Sequence, residues 1–323
     1  MASSQTFNRK PDGGYLFAHF IGEQEDGEQI YFALSKDGLN WEDLNGNKPI
    51  LYSTLGERGV RDPYLIRGAH GDKFYMIATD LCIYHRGGWT ATEPTVTGSR
   101  SIVIWESSDL ANWSEPWMAE VAAVESGCAW APEAIYNEEE DNYLVFWASS
   151  RDAVDGNGRG MHVYYSLTRD FRTFTDAEIY ITTGERSAIL DTTIIKVGST
   201  YYRASCAKGQ IIIESSKRLL GEWKNVSTLE SLGFGLTSRD VEGPAFYKFN
   251  GIDQWGLIVD QFAIEGGYLP LITTDIGDST GASWRRLTNE DYCFGQLKKR
   301  HGSILPLTQS EFELMAAKWG ARK

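Results

Sequence analysis

The sequence lacks a long apolar run. No segment approaches the roughly 20 consecutive apolar residues that cross a bilayer, and Met1 to Lys10 has no apolar core of the kind a secretion signal requires. The expectation is therefore a cytoplasmic protein with no membrane partner. Positive charge is also scarce: 31 Lys and Arg stand against 44 Asp and Glu, a formal net charge of −13. The longest basic run is Lys298 to Arg300, too short for the basic stripe that nucleic acid demands. Cysteine is sparse, with Cys82, Cys128, Cys206 and Cys293 far apart and in neither CxxC nor Cys/His spacing. Free buried thiols in a reducing compartment are expected, in place of disulfides or a zinc site.

Aromatic residues are abundant, at 13% of the chain with eleven Trp. Face-to-face sheets use such side chains as filler, and sugar sites use them as stacking platforms. One phrase recurs: an alternating strand, a polar turn with Ser or Thr and Asp, then an aromatic. It occurs at Gln29 to Trp41, Ser101 to Trp113 and His162 to Phe174, and more loosely at Gln210 to Trp223 and Leu269 to Trp284. A second phrase precedes it, a short apolar strand, a polar turn and a strand rich in Tyr, Phe and Trp. Asp62 to Thr79, Glu133 to Ser149, Asp191 to Ser205 and Glu242 to Asp260 carry it. Together they give about four strands per unit, the make-up of a propeller blade.

The fifth unit is split. Its first strand is His301 to Leu307, and the others begin with Tyr15 to Phe20 and Gln29 to Leu34. A solenoid or two stacked sandwiches would have no reason to divide a unit between the termini, whereas a ring closed this way hides its sheet edges. The fold class read from the sequence is thus all-β: a five-bladed β-propeller over residues 1–323, a single domain, with a short terminal helix at 310–323.

Asp62, Glu133, Asp191, Glu242 and His301 head the five units. Equivalent repeat positions bring all of them to one end of a shared central channel. Clustered carboxylates raise one another's pKa. One carboxylic acid kept protonated and another kept ionised is what hydrolysis of a glycosidic bond uses.

The motifs RDPYLIR (Arg61 to Arg67), CAWAPEAIY (Cys128 to Tyr136), ILDTTI (Ile189 to Ile194), VEGPAFYK (Val241 to Lys248) and RHGSILP (Arg300 to Pro306) come one per unit and in this order. With them the chain resembles glycoside hydrolase family 43, the inverting α-L-arabinofuranosidases, β-xylosidases and arabinanases. The resemblance implies Asp62 as general base, Asp191 as the residue that holds the acid and keeps its pKa high, and Glu242 as general acid. It implies a spacing of about 6.5 to 9.5 Å between the Asp62 and Glu242 carboxyl groups, which leaves room for a water. It also places His301 at the channel, touching a metal ion directly or through water. No cofactor is required, and a structural calcium ion in the channel is the one such group it allows.

Where family members have Trp-Ala-Pro-Asp, this sequence has Glu133, read as a substrate hydroxyl ligand or its neighbour, with Trp130 as a pocket wall. The insertion Cys82 to Gly98 interrupts the first unit and offers His85 and Trp89 as a wall that blocks one end of the groove. The expected activity is exo-acting release of terminal α-L-arabinofuranose, and of β-D-xylose as a second or alternative activity, from short arabinan- or xylan-derived oligosaccharides. Retaining β-fructosidases share the Arg-Asp-Pro motif, but their Asn-Asp-Pro-Asn and Glu-Cys motifs are absent here. A non-catalytic carbohydrate-binding propeller would have lost part of the set Asp62, Asp191 and Glu242, and all three are present. No oligomeric state is read from the sequence.

Overall fold

Three strands open the described part of the chain, β1 (Gly14–His19), β2 (Tyr31–Ser35) and β3 (Trp41–Asp43). The computed structural model describes residues 11–320; Met1 to Lys10, and the 321–323 end of the expected helix, lie outside the described residues. Four complete sheets follow. The first holds β4 (Val60–Arg67), β5 (Phe74–Asp80), β6 (Ser101–Ser107) and β7 (Trp117–Glu120). The second holds β8 (Trp130–Asn137), β9 (Asn142–Asp152), β10 (Arg159–Thr168) and β11 (Glu178–Ile181). The third holds β12 (Ile189–Val197), β13 (Thr200–Ala207), β14 (Gln210–Ser216) and β15 (Lys224–Thr228). The fourth holds β16 (Glu242–Lys248), β17 (Trp255–Asp260), β18 (Tyr268–Thr273) and β19 (Trp284–Arg286).

The last strand, β20 (Gly302–Leu307), pairs antiparallel with β1 from Gly14↔Leu307 to His19↔Gly302. It completes a fifth four-stranded sheet in the order β20-β1-β2-β3, so the split unit closes the ring as its sequence implies. The innermost strands β4, β8, β12, β16 and β20 each touch the next around the axis.

Burial follows position in the blade. Middle strands are covered on both faces and read as continuous apolar runs: β5 (FYMIATD) and β18 (YLPLIT) are buried throughout. The outermost strands are short and partly exposed, as in β7 (WMAE) and β11 (EIYI). The core is not one mass but a set of clusters between neighbouring blades. Leu16, Phe32, Met76 and Trp105 pack the fifth blade on the first, and Ile77, Ile104, Val145 and Trp147 pack the first on the second. Phe17, Tyr247, Ile258 and Tyr268 join the fourth to the fifth. Most of the aromatic excess is spent there.

The terminal helix, here called α3, runs over Gln309–Trp319, bounded by a capping box between Thr308 and Glu311. Glu311 also accepts two hydrogen bonds from Arg67, at 2.6 and 2.9 Å, which fixes α3 to β4. All four cysteines are free; Cys82, Cys128 and Cys206 are buried, but Cys293 is exposed, against the expectation of burial for all.

Candidate active site

Each of the first four inner strands carries one extra residue at the same point. In β4, Arg61 pairs with Thr79 and Tyr64 with Ile77, so Asp62 and Pro63 bulge out of the ladder. The same bulge lies between Trp130 and Glu133 in β8, Leu190 and Thr193 in β12, and Glu242 and Ala245 in β16. Its first residue is left-handed in every case, with φ of 51° at Asp62, 46° at Ala131, 49° at Asp191 and 54° at Gly243. Asp tolerates this region better than most residues. Gly243 has a further reason, since a Cβ there would lie 2.7 Å from His301 Cγ.

This register corrects the expectation that five head residues occupy one repeat position. Only Asp62 and Asp191 are equivalent. Glu242 stands one place earlier, level with Arg61 and Trp130, and Glu133 two places later, level with Tyr64 and Thr193. The prolines carried the missing signal: Pro63, Pro132 and Pro244 are all the second bulge residue, and aligning on them sets Ala131 beside Asp62.

Asp62, Asp191, Glu242 and His301 nevertheless meet in one cavity of 410 Å³, walled by Trp89, Trp130, Leu190 and Phe262. Asp62 Oδ2 accepts a hydrogen bond from Thr79 Oγ1 at 2.8 Å, and that hydroxyl accepts the Ala131 N–H at 2.7 Å. Asp62 Oδ1 is 3.3 Å from His301 Nδ1. Burial works to raise the Asp62 pKa, but His301, Arg61 and Thr79 together hold it below the ordinary aspartate value. Burial disfavours the charged form of His301 as well, yet its bond to Asp62 and the charges of Asp191 and Glu133 lift it to about 9, so the pair is carboxylate and imidazolium.

Glu242 is pushed the other way. Burial, then the charges of Asp191 and Asp260, raise it to about 8 against the opposing pull of Arg300 and His301. Arg300 donates to Glu242 Oε1 at 3.3 Å and to Asp260 Oδ2 at 2.6 Å. Asp191 Oδ2 accepts the Gly243 N–H at 3.1 Å, and its pKa is raised by burial and by the charge of Asp62. The carboxyl group on the first blade is thus held toward its ionised form and the one on the fourth toward its protonated form, with His301 of the fifth against Asp62.

Other expected residues fall differently. Trp89, 45% exposed, does wall the cavity, edge-on to Trp130 with ring centroids 6.0 Å apart. Its insertion is an ordered structure of two short helices, α1 (Ile83–Arg86) and α2 (Pro94–Thr97). His85 is not brought in; it is exposed and its Nδ1 lies 3.1 Å from the Glu57 carbonyl oxygen. Glu133, 3% exposed, is not among the cavity-lining residues; beyond the bulge its side chain is buried, burial raises its pKa to about 8, and its charge acts on His301 and Asp191, the place of a neighbour to the site and not of a direct sugar ligand.

His301 Nδ1 is 3.3 Å from Asp62 Oδ1, which leaves Nε2 as the ring nitrogen that would meet a metal ion or its bound water. Among the described residues no three His, Cys, Asp or Glu side chains are grouped to hold a metal ion. Arg61 and Arg300, which open two of the motifs, and Phe262, which lies in none, also line the cavity. A larger depression of 520 Å³ lies at the far end of β4, among Tyr75, Tyr136 and Arg169, away from these carboxyl groups.

Comparison with known proteins adds the following. Residues 10–313 match a family model related to glycoside hydrolase family 43 and described as a probable glycosyl hydrolase domain. An α-L-arabinofuranosidase of Bifidobacterium longum subsp. longum is 31% identical over 211 residues, 60% of this chain and 19% of that protein. The aligned segment is thus about a fifth of that enzyme's length. Among solved structures, a thermostable family-43 glycoside hydrolase superposes with a TM-score of 0.50 at 16% identity, covering 77% of both chains. A family-43 β-1,3-galactosidase gives 0.54 at 13% identity, covering 80% of this chain and 54% of its own. At such identities the two structures speak for the fold alone.

Proposed function

The chain belongs to the glycosyl hydrolases related to glycoside hydrolase family 43, and on that premise we propose that it is an exo-acting, inverting α-L-arabinofuranosidase. One observation carries the reading: Asp62 and Glu242 share a cavity, with the first held ionised and the second held protonated. Asp62 is the general base that takes a proton from water, and Glu242 the general acid that protonates the leaving oxygen. Asp191 keeps Glu242 protonated through its charge and spaces the fourth blade by its bond to the Gly243 N–H. His301 orients Asp62. Trp130 forms the sugar pocket wall, and Trp89 contacts the leaving group. The substrates are short arabinan- or xylan-derived oligosaccharides.

The test is hydrolysis of p-nitrophenyl α-L-arabinofuranoside and p-nitrophenyl β-D-xylopyranoside by wild type and Glu242→Ala. Wild type should release arabinose faster than xylose, and the variant should lose about 10²-fold or more. The kcat/KM profile should fall on its alkaline side near pH 8, where Glu242 loses its proton, and on its acid side below the ordinary aspartate range, where Asp62 gains one. Proton NMR of the first-formed sugar should show the inverted anomer. Retention, or folded protein inactive on both glycosides, would overturn the reading.

A further inference from the structure

The loop between β1 and β2 places two carboxylates beneath the cavity rim. Arg61 Nη1 donates to Glu23 Oε1 at 2.7 Å and to Glu28 Oε1 at 2.9 Å. Arg300 Nη1 lies 3.6 Å from the other oxygen of Glu23, Oε2. Both guanidinium groups also lie over the Phe20 ring, 4.4 and 5.5 Å from its centroid. Two buried cations are held near one another, and among the described residues Glu23 is the one carboxylate paired with both.

Each arginine then reaches a different wall. Arg300 grips Asp260 and Glu242 on the fourth blade. The Arg61 guanidinium carbon is 5.1 Å from the Trp89 ring centroid. Glu28 extends the connection, accepting the N–H groups of Ile83 and Tyr84 at 2.9 and 2.8 Å at the start of α1, in the insertion that bears Trp89.

We infer that Glu23 is a positioning residue that couples the two walls of the cavity, sharing Arg300 with Glu242 on one side and holding Arg61 under Trp89 on the other. The inference rests on the functional reading above for its kinetic consequences. Glu23 touches neither Asp62 nor Glu242, and with 28% of its side chain exposed it can be neutralised without stranding a deeply buried charge.

The sign of the effect follows from the charges around Glu242. Asp191 faces it from β12, Cys206 from β13, Asp260 from β17, and Arg300 and His301 from the segment leading into β20. Glu23 itself is faced by Arg61 and Arg300. Without the Glu23 charge, Arg300 retains only Asp260 and Glu242, so the cation leans on Glu242 and favours its ionised form. The acid then loses its proton at lower pH. At the other wall, Arg61 keeps Glu28 and the charge of Asp62, and the cation–π contact with Trp89 loosens.

Glu23→Gln and Glu23→Asp, assayed against wild type, test this. In Glu23→Gln the alkaline limb of kcat should move down by about 0.5 to 1 pH unit. Its kcat/KM for an arabino-oligosaccharide should fall about 2- to 5-fold more than for the p-nitrophenyl glycoside. Glu23→Asp, which keeps the charge, should restore most of the pH profile. Adding Trp89→Ala should erase the substrate difference and leave the pH shift. A uniform loss with an unmoved profile would mean a structural role only and overturn the inference. If wild type cleaves neither glycoside, the functional reading fails, and the crystal structure of Glu23→Gln decides this one: both guanidinium groups displaced supports it, and both unmoved overturns it.

Discussion

The outer hairpins and the inner bulges of this propeller are both repeated, but they repeat different things. In the outer hairpins the side chains recur with the backbone. Ser35, Ser107 and Thr168 each accept N–H groups two and three residues on. Asp37, Asp109 and Asp170 then accept the next two. This is the local chemistry by which Ser, Thr and Asp stabilise turns. In the third blade Arg218 replaces the aspartate, and only the hydroxyl cap remains, between Ser216 and the Arg218 N–H. In the inner bulges the backbone recurs while the side chains vary: Asp62, Ala131, Asp191 and Gly243 share one left-handed conformation, and only the two aspartates share a side chain. Repetition of side chains marks where the fold is specified. Repetition of backbone under changing side chains marks where chemistry is.

That contrast can be broken from either side. The largest effect is expected at a bulge that carries a carboxylate: Asp62→Asn keeps a residue tolerant of positive φ and the acceptor for Thr79, yet should lower kcat/KM by about 10²- to 10⁴-fold with little change in melting temperature. A loss under 10-fold would remove Asp62 from the chemistry. At an outer turn the pattern should invert. Asp109→Ala gives up the N–H groups of Ala111 and Asn112 and should cost about 1 kcal/mol of stability, read as a melting point lower by about 2 °C, with unchanged kinetics. The smallest effect belongs to the bulge that carries no functional side chain. Ala131→Gly relieves a left-handed alanine at φ 46° and should stabilise by about 0.5 kcal/mol after the entropy of glycine is subtracted. A destabilised Ala131→Gly would show that the bulge conformation is not strained.

The five-fold repeat and the split blade were legible because turn chemistry is local: a hydroxyl, an aspartate and an aromatic announce every hairpin but the third blade's, where Arg218 stands for the aspartate. Asp62, Asp191, Glu242 and His301 were legible as a set because inner strands start at one end of the channel. Their register was not. A bulge adds one residue without altering composition, so acidic residues near each strand start look equivalent while Glu133 lies two positions deeper, in the packed channel. Only Pro63, Pro132 and Pro244 mark the step, since a bulge leaves one backbone N–H out of the ladder and proline has none to lose. The Arg61 and Arg300 links through Glu23 had no sequence signal at all. Their partners lie across the ring, and no periodicity connects β1–β2 with the segment before β20.

The split fifth blade has a consequence for how activity arises in time. His301 enters from the last strand of the ring and Glu23 from the loop after β1, so the pocket is assembled from the two remote ends of the described chain. Strands β4 to β19 can pair with sequence neighbours as each is made, whereas β1 must wait for β20. Asp62 gains its imidazolium partner only at that last step. A chain emerging during synthesis, with four blades formed and the fifth open, carries both carboxyl groups and still lacks the group that sets one of them to work.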